Sequence, residues 1–246
     1  MPAFSVNVIA RDSVSTISDC LESLRGLSDD LVIVVDSRST DASEKIAGKF
    51  TTKIFNHKFI DFADQRNFAV TKSVHAWILS VDADEVVSRE LREYLNKFRE
   101  INLPFEAFAI KRHNFIFQKL IKHSNWDPNG IVRLFDKTFG KWSGKIHETW
   151  ESTGKVGLIN LPILHNNYKT VEEFMSKLEI YTTAEAEQIS HFSIFQFIWC
   201  PTIEFFRRFI FHVGFLDGFH GLFLSFLMWI YQINIWIKVW QKEHIS

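Results

Sequence analysis

The sequence predicts an α/β fold: a mainly parallel, doubly wound sheet with helices on both faces, followed by an aromatic-rich helical extension at the C terminus. Three observations support this prediction. Segments with strand and helix periodicity alternate over about the first ninety residues with short links, the pattern of successive β-α-β units. Three of the strand-like segments run into aspartate at their ends. Many of the 25 Phe and several of the 8 Trp fall in the last quarter of the chain.

Four strands and three helices account for the N-terminal pattern. The first strand shows period-two alternation, whereas the second is a continuous β-branched run, typical of a strand covered on both faces. Apolar residues at spacings of three and four indicate the first helix, and Asp41 followed by Glu44 indicates a capping box at the start of the second. The predicted strands are 4–10, 31–35, 52–55 and 77–82, and the predicted helices are 14–26, 41–48 and 64–76.

The fourth strand ends abruptly in acid, at Asp82, Asp84 and Glu85. These carboxylates cannot share the burial of the apolar run, so we expect them to emerge where open α/β sheets bind ligands. An extended backbone places Asp82 and Asp84 on one side, as oxygen ligands for Mg²⁺ or Mn²⁺ that could carry a diphosphate. The equally weighted alternative is that the acids stabilise the first turn of a helix starting near Ser88.

Further elements are predicted in the middle of the chain. A helix over 88–100 ends before Pro104, two strands cover 108–117 and 130–135, and a glycine-containing turn follows over 141–148. An ordinary helical pattern then runs over 171–188.

Charge and cysteine content exclude several classes of protein. The 28 basic and 29 acidic side chains nearly cancel, so no overall field favours nucleic acid. Cys20 and Cys200 lie far apart without metal-ligand spacing, which argues against a disulfide framework and against a zinc site. The first residues lack the basic and apolar regions of a secretory signal. A reducing, cytoplasmic setting is therefore expected.

The aromatic-rich tail predicts contact with a membrane surface. A helix over 213–237 would carry Asp217, Gly221, Ser225 and Gln232 on one narrow stripe and apolar residues elsewhere. Such a wide apolar face suits an interfacial anchor, with Arg207, Arg208 and Lys238 directed toward anionic head groups. A buried packing or dimer helix is the alternative, and a true membrane span is the least favoured of the three interpretations.

Three motifs occur in an order and spacing that resemble a known family. They are Asp-Ser-Arg-Ser-Thr-Asp at 36–41, Gln-Arg-Asn-Phe-Ala at 65–69, and the acid-ended strand at 77–85. Together they resemble the family 2 glycosyltransferases of the GT-A fold. The later patterns Arg-Leu-Phe at 133–135, Trp-Ser-Gly at 142–144, His-Glu at 147–148 and Leu-His at 164–165 resemble the bacterial subgroup that includes lipopolysaccharide core β-1,4-glucosyltransferases.

The resemblance implies roles for the residues at the donor site. Asp36 matches the acid that contacts the uracil ring, and Ala10 and Arg11 match the end of the first strand beside the nucleotide. Asp82 and Asp84 match the Asp-x-Asp motif, with Asp82 facing the ribose or sugar and Asp84 binding the metal directly. One departure is that Arg-Asp-Ser stands at 11–13 where Asn-Glu-Glu is common.

The resemblance also implies a basic residue and a catalytic base. Arg66 falls near the expected diphosphate or donor sugar. Glu148 matches the family's catalytic carboxylate, which acts as a base and removes the acceptor proton. The family usually has Glu-Asp there, whereas this chain has His147 and Glu148. His147 is expected to orient or pack. His165 is either a third metal ligand or a core histidine, and its surroundings favour the core.

The implied activity is transfer of a sugar, with glucose from UDP-glucose as the expected donor, onto a lipopolysaccharide or lipooligosaccharide core with inversion to a β-glycoside. Mg²⁺ or Mn²⁺ is the implied cofactor, and the inner face of the bacterial inner membrane is the implied location. Residues 1–170 would form the catalytic domain, with a nucleotide-sugar half at 1–100 and an acceptor half at 101–170. Residues 171–246 would form the membrane-associating region. A GT-A enzyme with another donor, a nucleotidyltransferase and a non-catalytic membrane scaffold are the alternatives.

Overall fold

A computed structural model describes residues 3–98, 104–126, 130–144 and 148–245. The chain divides into two compact units, one formed by Met1–Arg112 and Pro128–His165 and the other by His113–Asp127 and Asn166–Ser246. The functional division at residue 170 stays a prediction.

Alternating strands and helices form the N-terminal part of the first unit, as predicted. They are β1 (Phe4–Ala10), α1 (Ile17–Leu24), β2 (Leu31–Asp36), α2 (Ser43–Ala47), β3 (Ile54–His57), α3 (Phe62–Lys72) and β4 (Trp77–Asp82). The four strands are parallel in the order β3-β2-β1-β4. Since β2 is covered on both faces, Val32, Ile33, Val34 and Val35 are all buried, which explains its unbroken β-branched sequence.

Later strands extend this sheet into a mixed one. They are β5 (Glu85–Val87), β6 (Ala107–Ile116), β7 (Lys119–Ile121), β8 (Ile131–Asp136) and β11 (Val156–Tyr168), and β9 (Gly140–Ser143) and β10 (Thr149–Ser152) form a separate pair. The full order is β3-β2-β1-β4-β8-β6-β11-β5, with β7 on β6. Helix α4 (Arg89–Phe98) follows β5. The predicted α/β fold class is confirmed.

Several predicted boundaries differ from the structure. Strand β3 begins two residues late, and α3 ends at Lys72 rather than at 76. The predicted capping box is wrong, because Asp41 accepts from the amides of Ser43 and Val14 at 2.9 and 2.8 Å and so ties α2 to the loop after β1. The Glu44 carboxylate instead accepts from the side chain of Asn56.

Helices dominate the second unit. They are α5 (Val171–Gln188), α6 (Ile194–Phe206) and α7 (Phe219–His244), with a π-helical segment at Arg207–Phe211 and a 3-10 turn at Gly214–Asp217. Helix α7 packs against α5 and α6. The bounds of α5 match the predicted 171–188.

The helix predicted to begin at residue 213 starts only at Phe219. Gly218 has a φ of +64°, which breaks the helix, and Asp217 lies before the break. Asp217 is buried and accepts from the backbone amide and the ring Nδ1 of His123 at 2.9 and 3.0 Å. A Cβ on Gly221 would lie 1.8 Å from the carbonyl oxygen of Gly214. The start of the predicted polar stripe therefore faces protein.

Large apolar side chains are exposed along residues 194–226, and we call them the tail surface. The most exposed members are Phe211, Phe219, Phe195, Ile194 and Leu216, between 61% and 79%. No carboxylate within 194–226, all of which the structure describes, is exposed, because Glu204 and Asp217 are both buried. Among the described residues, α7 alone has the length and apolar composition to cross a bilayer, a test that core helices of soluble proteins also pass.

Candidate active site at the carboxyl edge of the parallel strands

The carboxyl ends of β1, β2 and β4 bring three predicted site residues to one edge of the sheet. Ala10 pairs with Val35, next to Asp36, and Ile9 pairs with Asp82. In an open parallel sheet this edge is where ligands bind. The strand register alone therefore gathers Ala10, Asp36 and Asp82, as the sequence predicted.

Asp36 is buried and held by two arginines. The Arg38 side chain donates to its carboxylate at 2.8 to 3.2 Å, and Nε of Arg11 lies 3.6 Å from Oδ2. Burial alone would raise the pKa of Asp36, but the hydrogen bonds and charge of Arg38 outweigh it and hold the pKa below its usual range. Asp36 is thus an ionised hydrogen-bond acceptor at this edge. Arg38, which lies within the Asp-Ser-Arg motif, was not among the predicted site residues.

Asp82 lies between two buried arginines. Arg66 donates from one terminal nitrogen to Oδ1 at 2.6 Å, and Arg133 donates to Oδ2 at 2.6 Å. Burial alone would raise the pKa of Asp82, but the guanidinium groups of Arg133 and Arg66 hold it far below its usual range. Both carboxylate oxygens of Asp82 are therefore engaged by protein.

Arg66 joins the end of β4 to the predicted base. Its Nε donates to Oε1 of Glu148 at 2.9 Å, and its other terminal nitrogen donates to Oγ of Ser80 at 3.0 Å. The ring of Trp142 lies 4.8 Å from the guanidinium carbon, a cation–π distance. Since Arg66 is 3% exposed, it links its three partners within the protein.

The neighbours of Arg66 explain why the Gln-Arg-Asn segment is polar although it lies in a half-buried helix. Asn67 donates to the carbonyl of Trp142 at 2.9 Å and accepts from its amide at 3.0 Å, so its side chain pairs with β9 as a strand would. Gln65 donates to the carbonyl of His57 at 3.4 Å. Helix α3 thereby fixes both Arg66 and the ring that covers it.

Asp84 lies in the turn between β4 and β5, and its neighbour in space is His165. Strand β11 runs antiparallel to β5 with His165 opposite Glu85, and Nε2 of His165 lies 3.4 Å from Oδ2 of Asp84. The described residues contain no cluster of three or more metal-ligating side chains. Two protein ligands fit an ion that takes its remaining ligands from phosphate oxygens and water, as Mg²⁺ commonly does.

The alternative in which the acids stabilise the first turn of α4 is wrong. Glu85 is in β5, and the amide of Leu91 is capped by the Ser88 hydroxyl at 3.2 Å. The carboxylate of Glu85 instead accepts from the amide of Asp82 at 3.0 Å and from Arg133 at 2.7 Å. Asp82 and Glu85 thus share Arg133 as a partner, whereas Asp84 lies beside His165.

Glu148 is the predicted base, and it precedes β10 with its side chain 15% exposed. Arg66 donates to both Glu148 and Asp82, so the two carboxylates share one guanidinium group. His147 lies outside the described residues. Sequence reasoning assigned no role to Arg133, although the signal was present: it is a single cation within the otherwise apolar β8 up to Phe135.

The mainly parallel sheet with helices on both faces is the GT-A fold, as comparison with solved structures shows. A mannosyltransferase of Pyrobaculum calidifontis, solved with GDP-Man and Mn²⁺, shares the fold with a TM-score of 0.56 at 12% identity, covering 99% of this chain and 88% of that one. Glucosyl-3-phosphoglycerate synthase of Mycobacterium tuberculosis, solved with Mn²⁺, UDP and glucosyl-3-phosphoglycerate, gives 0.50 at 14% identity, covering 73% and 77%.

The chain belongs to glycosyl transferase family 2, whose sequence model matches residues 5–152. An uncharacterized glycosyltransferase of Rickettsia conorii is 28% identical, covering 91% of this chain and 87% of the relative. The lipopolysaccharide core biosynthesis glycosyltransferase LpsC of Rhizobium meliloti is 22% identical, covering 98% and 93%. The predicted family is confirmed, and the protein is a glycosyltransferase.

Proposed function

We propose that this glycosyltransferase is a metal-dependent, inverting enzyme that transfers glucose from UDP-glucose to a lipopolysaccharide or lipooligosaccharide core. The observation that carries this proposal is the single guanidinium of Arg66, which ties Asp82 on the donor side to Glu148. An inverting transfer needs a base near the donor's anomeric carbon, and this contact fixes one carboxylate close to the end of β4. The similarity to LpsC supports the choice of acceptor.

Glu148 is the base in this proposal. Its carboxylate is paired with Arg66 and is 15% exposed, so an acceptor hydroxyl can reach it. The hydroxyl proton moves to Glu148 as the oxygen attacks the anomeric carbon and the bond to the diphosphate breaks. One displacement on the face opposite the leaving group converts an α-linked donor into a β-glycoside.

Asp84 and His165 would hold the metal ion. A carboxylate and an imidazole 3.4 Å apart suit Mn²⁺ or Mg²⁺ that is also bound by diphosphate oxygens. When bound, the ion neutralises charge on the departing nucleotide. Asp82 cannot serve equally as a ligand, because both of its oxygens already accept from arginine.

Asp36 would recognise the base of the nucleotide, beside Ala10 and Arg11. An ionised carboxylate that accepts hydrogen bonds suits the ring N–H of uracil, which cytosine lacks. Arg38 holds this carboxylate in place. Donor preference at this position is then a matter of hydrogen-bond complementarity.

The tail surface would place the enzyme on the cytoplasmic face of the inner membrane, next to a lipid-linked acceptor. Exposed apolar side chains with no exposed carboxylate among them suit insertion at an anionic lipid interface. Both arginines pair with Glu204. Arg207 is nevertheless 47% exposed and faces solvent, whereas Arg208 is 11% exposed and also donates to the Ser124 carbonyl. Lys238 likewise bonds to α5.

Binding calorimetry followed by a transfer assay tests this proposal. UDP-glucose, other UDP-sugars, GDP-mannose and CMP-sugars are titrated with and without Mn²⁺, and the preferred donor is then incubated with core oligosaccharide. Tight Mn²⁺-dependent binding of UDP-glucose, lost in Asp84→Ala, is the expected result. Asp136→Ala is the matched control, since Asp136 pairs with Trp77 at the opposite end of β4.

Other results would favour other functions. Release of pyrophosphate from a nucleoside triphosphate would indicate a nucleotidyltransferase, and preferred binding of a different nucleotide sugar would replace the donor. Binding of no nucleotide under any condition would favour the scaffold alternative.

A further inference from the structure

Arg133 contacts two of the three acids at the end of β4 with one nitrogen atom. This terminal nitrogen lies 2.6 Å from Oδ2 of Asp82 and 2.7 Å from Oε1 of Glu85. The two acids flank the turn residues 83 and 84, so Arg133 holds together the two ends of the turn that carries Asp84. Arg133 itself lies on β8, which pairs antiparallel with β4.

The environment makes this contact hard to replace. Arg133 is 3% exposed and Glu85 is fully buried, so neither charge has water as an alternative partner. The proximity of Asp82 and Glu85 outweighs burial and raises the pKa of Arg133 above its usual range. The amide of Asp82 also donates to Oε2 of Glu85 at 3.0 Å, which closes the turn with a second contact.

The turn has one further constraint, because the amide of Ala83 donates to the carbonyl of Ile9 at 3.3 Å. With Arg133 on one side and β1 on the other, the backbone before Asp84 is fixed from two directions. The side chain of Asp84, 30% exposed, is then presented toward His165 by a rigid support.

We propose that Arg133 is a positioning residue that fixes the turn between Asp82 and Glu85 and so sets the position of Asp84 for the metal ion. Because Arg133 is 3% exposed, we assign it an action through the turn and not through contact with substrate. This inference rests on the proposed role of Asp84 as the metal ligand. Glycosyltransferases need a ligand placed accurately, because a displacement of about 1 Å at a reacting centre costs about a hundredfold in rate.

Calorimetric titration of Mn²⁺ with UDP into the Arg133→Lys variant of the full chain tests the inference. Lysine keeps the charge but has a shorter reach and a single nitrogen. We expect about tenfold weaker binding with a stoichiometry near one. A purely structural role would instead lower the fraction of competent protein without changing the dissociation constant, and this result would overturn the inference.

Arg208→Lys is the matched control. Arg208 is also a largely enclosed arginine, with 11% of its side chain exposed, and it pairs with Glu204 in the second unit. Its replacement should lower thermal stability while leaving the dissociation constant for Mn²⁺ with UDP unchanged. A second test variant combines Arg133→Met with Glu85→Gln and so removes one charge of each sign. It keeps the inference testable if Arg133→Lys fails to fold. It should fold and should show the same loss of affinity, and unchanged affinity would overturn the inference.

A double-mutant cycle separates this inference from the proposed function. The unfolding equilibrium of Arg133→Lys, Asp82→Asn and their combination is measured by denaturant titration without donor or metal. We expect the change in the unfolding equilibrium constant of the combined variant to differ more than tenfold from the product of the two single changes. A change equal to that product would contradict the contact between Arg133 and Asp82. Absence of UDP binding in the wild-type protein would contradict only the proposed function.

Discussion

Nε of Arg66 donates to Oε1 of Glu148 at 2.9 Å, although 82 positions separate the two residues in the chain. The contact brings together helix α3 and the segment before β10. The two terminal nitrogens of Arg66 donate to Asp82 and Ser80, which both belong to β4.

Replacing Arg66 should uncouple Glu148, the proposed base, from Asp82 at the proposed donor site. In Arg66→Gln, Glu148 loses its cationic partner, and we expect turnover to fall by about a hundredfold or more, the range of general-base effects. Stopped assays of glucosyl transfer would measure this, with Arg89→Gln as the control, because Arg89 is an exposed arginine that pairs with Glu93. Turnover within about twofold of wild type would contradict the assignment of Glu148 as the base.

His165 should contribute to metal affinity. His165→Ala is expected to weaken Mn²⁺ binding in the presence of UDP by about tenfold, in the range that loss of an oriented metal partner produces. Calorimetry on both proteins measures the effect. His75→Ala is the control, because His75 pairs with Asp29, away from Asp84. Equal affinity in wild type and His165→Ala would return His165 to the role of a core histidine.

Asp30 should stabilise the fold in a pH-dependent way. It is buried and accepts from Ser5 at 2.5 Å, from the amide of Val74 at 2.9 Å and from Lys53. Burial alone would raise the pKa of Asp30, but these hydrogen bonds outweigh it and lower the pKa. A carboxylate with a lower pKa in the folded state contributes stability that is fully present above its unfolded pKa of about 3.9 and is lost as pH falls through the folded pKa.

The expected cost of Asp30→Asn is therefore about 2 kcal/mol in the free energy of unfolding near neutral pH, shrinking below about pH 4. Urea titrations at several pH values measure both quantities. Asp29→Asn, at an exposed neighbouring carboxylate, should change little. A difference for Asp30→Asn that stays constant with pH would contradict the ion-pair explanation.

The tail surface should be required for membrane binding. We expect Phe195→Ser combined with Trp199→Ser to weaken flotation with anionic liposomes by about tenfold or more, since each side chain contributes apolar area to the lipid contact. Phe195 is 67% exposed and Trp199 is 48% exposed, so folding should be retained. Ile60→Ser, at a 72% exposed position of the first unit, is the control. Equal flotation of all three proteins would exclude this surface as the anchor.

The sequence predicted the parallel half of the sheet because its signals are local. Alternation and β-branched runs define β1 and β2 from a few residues each. Strand β11 was missed, since Pro162 within Val156–Tyr168 argues against a strand and its pairing with β5 depends on residues far apart in sequence. The apolar residues before His165 favoured a core histidine, and the residue is indeed buried. The strand register, which the sequence did not reveal, also places it beside Asp84.

The site residues on β1, β2 and β4 could be predicted because they stand where strands end in the sequence. The side chains that bind them could not be predicted in this way. The contacts of Arg38 to Asp36 and of Arg133 to Asp82 require the tertiary fold. Likewise, the stripe beginning at Asp217 was taken as the polar side of a surface helix. Gly218 ends that pattern, and His123, the partner of the buried Asp217, lies 94 positions away.

Opposite charges alternate along a row of side chains from Glu148 through Arg66, Asp82 and Arg133 to Glu85, and Arg66, Arg133 and Glu85 within it are buried. A single neutral replacement that removes a partner of one of these buried groups leaves its charge without compensation, which typically costs about 3 to 5 kcal/mol. Random single substitutions at these positions would destabilise the protein, and such variants would be lost from a library before any gain in donor specificity could be detected. Directed evolution of donor preference should therefore vary these five positions together, or leave them intact and diversify the exposed positions around Asp36.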